Sequence, residues 1–177
     1  GCDAAKTGML STPEAIQEVA RAVRTYQVKK LVVDPVMVAK GGARLLREEA
    51  VLALLTDLFP LCLVATPNAE EAAILAGRKV ETLDDMQEAA RAIQALGPRY
   101  VLVKGGHVNM GDEKIHDALF GDDGRMEIFE STRLDARHTH GTGCTLSAAI
   151  AAHLALGRPV REAVARARQF LLGALRA

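Results

Sequence analysis

The sequence predicts an α/β protein in which a mostly parallel sheet is covered by helices on both faces. Short segments that are almost wholly apolar, such as 30–34 and 100–104, alternate with longer segments whose apolar residues recur at helical spacing. Strands that are apolar on both sides are typical of parallel sheets buried between two layers of helices. A turn-rich centre at 121–124, flanked by two further strand-like segments, predicts one hairpin at the end of this pattern.

Capping and turn residues indicate where each element begins and ends. Thr12 and Thr82 are suited to cap helices, and Pro13 suits a first helical position. Glycine or proline follows most of the other elements, because neither residue continues them well. The predicted strands lie at 1–9, 30–34, 62–66, 100–104, 117–120 and 126–131. The predicted helices lie at 12–23, 51–58, 70–75, 82–97, 142–156 and 160–175.

The composition excludes several classes of function. Acidic and basic residues are balanced at 22 each and aromatic residues make up 3% of the chain, which argues against a nucleic-acid-binding protein. No apolar run is long enough to span a membrane. The cysteines, Cys2, Cys62 and Cys144, are far apart and odd in number, so they form neither a metal-type spacing nor a disulfide framework. This cysteine usage predicts a reducing, cytoplasmic setting.

The chain begins at Gly1 without an initiator methionine, and its first residues have the pattern of a strand. We therefore expect that an N-terminal portion of the natural chain precedes these residues. The 177 residues are long enough for one domain with a core of its own, so we expect 1–177 to form a single domain that is incomplete at its N-terminus.

The segment 140–150 carries the strongest functional signal. Gly141 and Gly143 allow a ligand to approach the backbone closely, and an apolar helix follows them at once. The free N–H groups and the dipole of a helix N-terminus bind anions, and the same field favours the thiolate form of a cysteine such as Cys144. The pattern predicts a phosphate-binding loop with a reactive side chain. The alternative is an ordinary glycine-rich loop before a buried helix.

Polar residues or glycines follow each of the predicted parallel strands. Ligands of such sheets bind at the carboxyl ends of the strands, so we expect these residues to meet in one crevice with the loop at 141–144. The residues at and directly after the strand ends are 8–9, 34–36, 66–68 and 104–106.

Five segments in register carry a resemblance to a known family. The chain resembles the hydroxymethylpyrimidine/phosphomethylpyrimidine kinase family of thiamin biosynthesis over essentially all of its length. That resemblance implies a ribokinase-like fold with three α/β/α layers, lacking the family's N-terminal strands and the glycine- and serine-rich segment that helps to hold the pyrimidine. The segments are 6–10 (KTGML), 34–37 (DPVM), 66–71 (TPNAEE), 103–107 (VKGGH) and 139–144 (THGTGC).

The resemblance implies that ATP and Mg²⁺ are used to phosphorylate 4-amino-5-hydroxymethyl-2-methylpyrimidine, and then its monophosphate to the diphosphate. It also implies a homodimer. By the same resemblance Gly141, Thr142, Gly143 and Cys144 would form the anion hole around the transferring phosphate. Cys144 would either act as the base for the substrate hydroxyl or only pack against the substrate.

Further roles follow from the resemblance. Lys104 would bind a phosphate of ATP, the alternative being a lysine that extends into solvent at a strand end. Asn68 and Thr139 would belong to the nucleotide site. Asp34 and Glu71 would serve Mg²⁺, which suits carboxylate oxygens. The spacing of Asn68 and Glu71 is equally that of a capping box, so the alternative for both is a structural role.

Met9 and Val36 would line the pyrimidine, or would be core residues. His140 would brace the loop by hydrogen bonding.

Two alternative functions remain open: a pyridoxal or pyridoxine kinase, and a truncated module that binds a nucleotide without turnover. No Gly-x-Gly-x-x-Gly follows an early strand, which argues against a dinucleotide-binding dehydrogenase. Cysteine at 144, where sugar kinases of the same fold are expected to carry aspartate, disfavours a sugar kinase.

Overall fold

The computed structural model describes residues 1–38, 45–106, 114–132 and 141–176. Within them lies a six-stranded sheet whose spatial order is that of the sequence. The pairings from β1 to β4 are parallel, and those from β4 to β6 are antiparallel. The strands are β1 (Ala5–Thr7), β2 (Leu31–Val33), β3 (Val64–Ala65), β4 (Tyr100–Lys104), β5 (Lys114–Gly121) and β6 (Met126–Thr132).

Helices connect the parallel strands and follow the hairpin, as the periodicity predicts. The helices are α1 (Pro13–Thr25), α2 (Glu48–Ala53), α3 (Ala69–Ala76), α4 (Leu83–Gln94), α5 (Thr142–Ala155) and α6 (Val160–Arg176). α2 is shorter than predicted because it continues as a π-helical segment, Leu54–Leu58, and a 3₁₀ turn, Phe59–Leu61. The hydroxyl of Thr56 donates to the carbonyl oxygen of Leu52 at 3.0 Å, and a bond of this kind competes with the α-helical ladder.

The predicted helix caps are confirmed. The Thr12 hydroxyl accepts from the backbone N–H of Ala15 at 3.2 Å at the start of α1. Thr82 and Asp85 form a reciprocal capping box at the start of α4. Gly77 ends α3 with a φ of 65°, the left-handed conformation in which glycine is favoured.

The core lies on both faces of the sheet. Along β2, Leu31 and Val33 pack with the helices α1 to α4, whereas Val32 faces the opposite way and packs with α5 and α6. Burial of each large apolar side chain stabilises the fold by about 1.5–3 kcal/mol. The structure therefore has the three layers that were predicted.

The topology places the carboxyl ends of β1 to β4 along one edge of the sheet. α5 packs against β1 and β2, which brings its first turn close to that edge. Among the described residues, no helix combines the length and the apolar character needed to cross a membrane.

Candidate active site

A partly buried ion pair lies where β2 and β4 end. Lys104, the last residue of β4, donates from Nζ to Oδ1 of Asp34 at 2.9 Å. Asp34 directly follows β2 and is 3% exposed, and the Lys104 side chain is 16% exposed. The Thr66 hydroxyl, which follows β3, donates to the same oxygen at 3.0 Å. Three predicted strand ends therefore meet, and Lys104 does not extend into solvent.

The first turn of α5 approaches this pair closely. A Cβ placed on Gly143 would lie 3.2 Å from Nζ of Lys104 and 3.6 Å from Oδ2 of Asp34. Gly141 caps the helix with a φ of 83° and has no side chain to accept a bond, so no first-turn N–H group donates to a cap side chain. Cys144 is exposed at the same helix end. The positive end of the helix dipole and the Lys104 ammonium, whose charge Asp34 offsets in part, thus lie together at a place that is suited to an anion.

Asn68 and Glu71 form the capping box of α3. The Asn68 side chain accepts from the N–H of Glu71 at 2.9 Å, and the Glu71 carboxylate accepts from the N–H of Asn68 at 2.8 Å. The second carboxylate oxygen accepts from the N–H of Met37 at 3.3 Å. The structural role given as the alternative is thereby confirmed. Asn68 is also bridged to Lys104 in the sheet, which places α3 beside the ion pair.

Burial raises the pKa of the Glu71 carboxyl above its usual value of 4.5. The N–H of Asn68 and the charge of Lys104 lower it in part, and the negative charge of Asp34 raises it further. These electrostatic effects indicate that Glu71 is close to the Lys104–Asp34 pair. The neighbouring residue Glu70 is exposed.

The replacement Glu71→Gln should remove a pH-dependent part of the stability. Because the folded protein binds the Glu71 proton more tightly than the unfolded chain, wild type loses stability as pH rises from 4.5 through the raised folded pKa. The amide does not ionise, so the free energy of unfolding of wild type minus that of the variant should fall across this window. Urea unfolding at successive pH values from 4.5 upwards measures that difference. A flat difference for Glu71→Gln would contradict a raised pKa.

The residues predicted to line the substrate lie near the ends of β1 and β2. Met9 is 56% exposed, so it is not a core residue in this structure. Val36 is half-buried and lines a small cavity together with Thr7, Gly8 and Asp34. Their assignment to the pyrimidine stays a prediction.

Two sequence-based predictions fall outside the described residues. These are the nucleotide-site assignment of Thr139 and the bracing role of His140.

Sequence reasoning named Thr66 as a strand end but gave it no role, and it missed Asp117. The structure places Thr66 on Asp34, and it places Asp117 of β5 against the residue that follows Lys104. Asp117 is a charged residue that directly precedes three apolar residues, Ala118, Leu119 and Phe120. That pattern is the signal that would have singled it out.

Comparison with known families matches residues 1–177 to the family described as phosphomethylpyrimidine kinase. The chain belongs to this family. A curated relative from Bacillus subtilis, a pyridoxine kinase, is 45% identical over 99% of this chain and 65% of its own chain. A second curated relative from the same organism, a hydroxymethylpyrimidine/phosphomethylpyrimidine kinase, is 43% identical over 96% of this chain and 62% of its own chain. A pyridoxal kinase from Staphylococcus aureus, solved in complex with ADP, superposes with a TM-score of 0.90 at 35% identity and covers 99% of this chain and 63% of its own. The phosphomethylpyrimidine kinase family and the ribokinase-like fold expected from the motifs are both confirmed.

The chain spans between about a third and two thirds of the length of the curated relatives it matches. The family and the fold are therefore assigned to these 177 residues. The kinase activity in the relatives' names belongs to chains that are longer than this one.

Proposed function

We propose that the chain carries the phosphoryl-transfer site of an ATP-dependent kinase. Its substrates would be 4-amino-5-hydroxymethyl-2-methylpyrimidine and the monophosphate of that compound. The observation that supports this most directly is the approach of the α5 N-terminus to the half-buried Lys104 ammonium, 3.2 Å from the Cβ position of Gly143. Phosphoryl transfer depends on positioning and charge neutralisation more than on covalent help, and these are the properties of such an arrangement.

The reaction uses the residues of this chain as follows. The substrate hydroxyl oxygen attacks the γ-phosphorus, the bond from that phosphorus to the β–γ bridging oxygen breaks, and ADP leaves. The N–H groups of Gly143 and Cys144 and the α5 dipole stabilise the negative charge on the transferring group. Asp34 holds the Lys104 ammonium in place, ready for a phosphate oxygen. The hydroxyl proton passes to Sγ of Cys144 or to water.

Mg²⁺ and ATP fit the donor set of this site. Mg²⁺ is usually held by one or two carboxylates together with substrate phosphates and water. In the described part of the chain there is no cluster of three or more His, Cys, Asp or Glu that would form a cage, but Asp34 is hydrogen-bonded to Lys104, and the charges of Lys104 and Asp34 both act on the Glu71 carboxyl. These two carboxylates would hold the ion together with the phosphates of the nucleotide. Asn68 and Thr139 would contact the nucleotide itself. When bound there, Mg²⁺ would neutralise part of the phosphate charge.

The test is ADP release by the chain with Mg-ATP and, in parallel, the hydroxymethylpyrimidine, its monophosphate and pyridoxal. Turnover with both pyrimidines supports the proposal. ADP binding in calorimetry without turnover on any substrate would reject it and favour a binding module that lacks catalysis.

The proposed mechanism gives Cys144 a chemical role that a single substitution tests. If Sγ accepts the hydroxyl proton, Cys144→Ala should lower kcat by about 10²- to 10⁴-fold, the usual range of general base catalysis, with little change in the KM for ATP. Cys2→Ala is the matched control, because Cys2 is also exposed but lies before β1, and it should leave both constants unchanged. A kcat near wild type in Cys144→Ala would leave Cys144 only a packing role.

Pyridoxal phosphorylation is the second candidate, because a pyridoxine kinase is 45% identical over 99% of the chain. Both substrates are aromatic heterocycles with a hydroxymethyl group, so the same phosphoryl-transfer site would serve either. A kcat/KM for pyridoxal above that for both pyrimidines would select this candidate.

We infer that the chain forms a single domain, assembles as a homodimer and has a cytoplasmic location, with Met9 and Val36 at the pyrimidine. Sedimentation equilibrium tests the dimer, and the KM of Val36→Ala for each pyrimidine tests the substrate contact.

A further inference from the structure

A buried carboxylate holds the backbone directly after Lys104. The N–H of Gly105 donates to Oδ1 of Asp117 at 2.9 Å, and Oδ2 of Asp117 accepts from Nε of Arg168 at 2.8 Å. Asp117 lies in β5 and is 7% exposed, and Arg168 lies in α6 and is 8% exposed. A bridge from α6 to the end of β4 therefore passes through one side chain.

The approach of Gly105 to β5 makes this bond possible. A Cβ on Gly105 would lie 1.9 Å from the carbonyl oxygen of His116. In the strand register, Asp117 lies opposite Lys104. The end of β4 is thus held against β5 at the residue that directly follows the ammonium-bearing side chain.

Arg168 is itself fixed at several points. Its Nη2 donates to the carbonyl oxygen of Phe129 at 3.3 Å and to the Ser131 hydroxyl at 3.4 Å. Its guanidinium carbon lies 5.1 Å from the centre of the Phe129 ring. Arg168 therefore orients the Asp117 carboxylate from a rigid anchor on β6.

A buried ion pair is a weak source of net stability, because both charges lose their hydration. The Asp117 carboxylate of this pair, however, also accepts a bond from the backbone N–H of Gly105, the residue directly after Lys104. We propose that Asp117 and Arg168 are positioning residues for Lys104, which hold the end of β4 so that the ammonium faces the phosphate site. This inference rests on the proposed kinase function.

Two donors converge on Asp117, and this makes an isosteric variant informative. The carboxylate offers one oxygen to Gly105 and one to Arg168. An asparagine offers one oxygen and one NH₂ group, so Asp117→Asn loses one of the two bonds while keeping the shape. We expect Asp117→Asn to weaken binding of Mg-AMP-PCP and to raise the KM for ATP, each by about tenfold or more, since small misplacements near a reacting centre have large effects.

The decisive experiment is a double-mutant cycle with Lys104→Met, read as the Kd of Mg-AMP-PCP and the kcat/KM for ATP. If Asp117 acts through Lys104, Asp117→Asn should have little further effect in the Lys104→Met background. The matched control is Arg161→Gln. Arg161 also lies in α6 and joins it to the hairpin through Asp123 and Glu127, but it makes no bond to Gly105.

Each outcome bears on the proposal. Equal fold-changes with and without Lys104, or wild-type nucleotide constants in a folded Asp117→Asn, would overturn it. Arg168→Lys is the second variant, because the lysine ammonium is a point charge and does not reproduce the forked donors of the guanidinium. Failure of both variants to fold would show that the pair is purely structural and would overturn the proposal. If wild type binds Mg-AMP-PCP but phosphorylates nothing, the proposed function fails while the cycle in Kd still decides the positioning role. If wild type binds no nucleotide, both proposals are rejected.

Discussion

Replacement of Lys104 by methionine should lower the kcat/KM for ATP by at least about a hundredfold, the size of effect seen when one preorganised charge or donor is removed from a transition state. The variant loses the cation beside the α5 N-terminus. It also leaves the 3% exposed Asp34 without its ion-pair partner, which we expect to cost about 3 kcal/mol of stability. Steady-state kinetics and urea unfolding measure the two effects.

Two further variants separate the chemistry from the stability. In Lys104→Met/Asp34→Asn no buried charge is left unpaired, so stability should recover while kcat/KM stays low. The matched control is Lys114→Met, because the Lys114–Glu130 pair is about half exposed and contributes at most about 1 kcal/mol. Kinetic constants of Lys104→Met within error of wild type would remove Lys104 from the active site.

Gly105→Ala should be among the most damaging single substitutions in the described part of the chain. The added Cβ would fall 1.9 Å from the backbone oxygen of His116 and 3.0 Å from Cε of Met86, so β4 and β5 must separate. Overpacking of this kind typically costs about 1–3 kcal/mol, and a backbone atom cannot move aside as a side chain can. Because Lys104 precedes Gly105 directly, the KM for ATP should also rise.

The neighbouring glycine provides the control. A Cβ on Gly106 meets nothing within 4 Å, and its φ is not in the left-handed region. Gly106→Ala should therefore change the free energy of unfolding by no more than about 0.5 kcal/mol. Equal losses of stability in the two variants, measured by urea unfolding, would show that the close approach of Gly105 to β5 is not what matters.

Local patterns predicted the elements well because the forces that define them are local. Thr12 and Thr82 cap helices with their own hydroxyls, and Gly77 takes the left-handed conformation that ends α3. β3 is shorter than the predicted 62–66, yet backbone bonds from Leu63 to Leu31 and from Thr66 to Val33 extend the ladder on both sides. Assignment of strand ends, rather than the position of the chain, explains that difference.

The candidate site was predicted in part. The rule that ligands bind at the carboxyl ends of parallel strands indicated that Asp34, Thr66 and Lys104 would meet, and they do. Which atoms pair could not be predicted, because residues 32 and 70 positions apart in the chain meet only through the strand order. The capping box of Asn68 and Glu71 was readable from their spacing, whereas the burial that raises the pKa of Glu71 was not.

The sequence by itself determined the alternation of strands and helices, the caps and the family, and it predicted an anion-binding segment after Gly141. Each of these depends on residues within a few positions of one another, or on motifs kept in order. Only the tertiary structure decided that Lys104 is paired with Asp34, that α5 approaches this pair at Gly143, and that Asp117 and Arg168 hold the backbone of Gly105. Those contacts join separate layers of the fold, and their energies depend on burial and distance, which no local pattern of residues specifies.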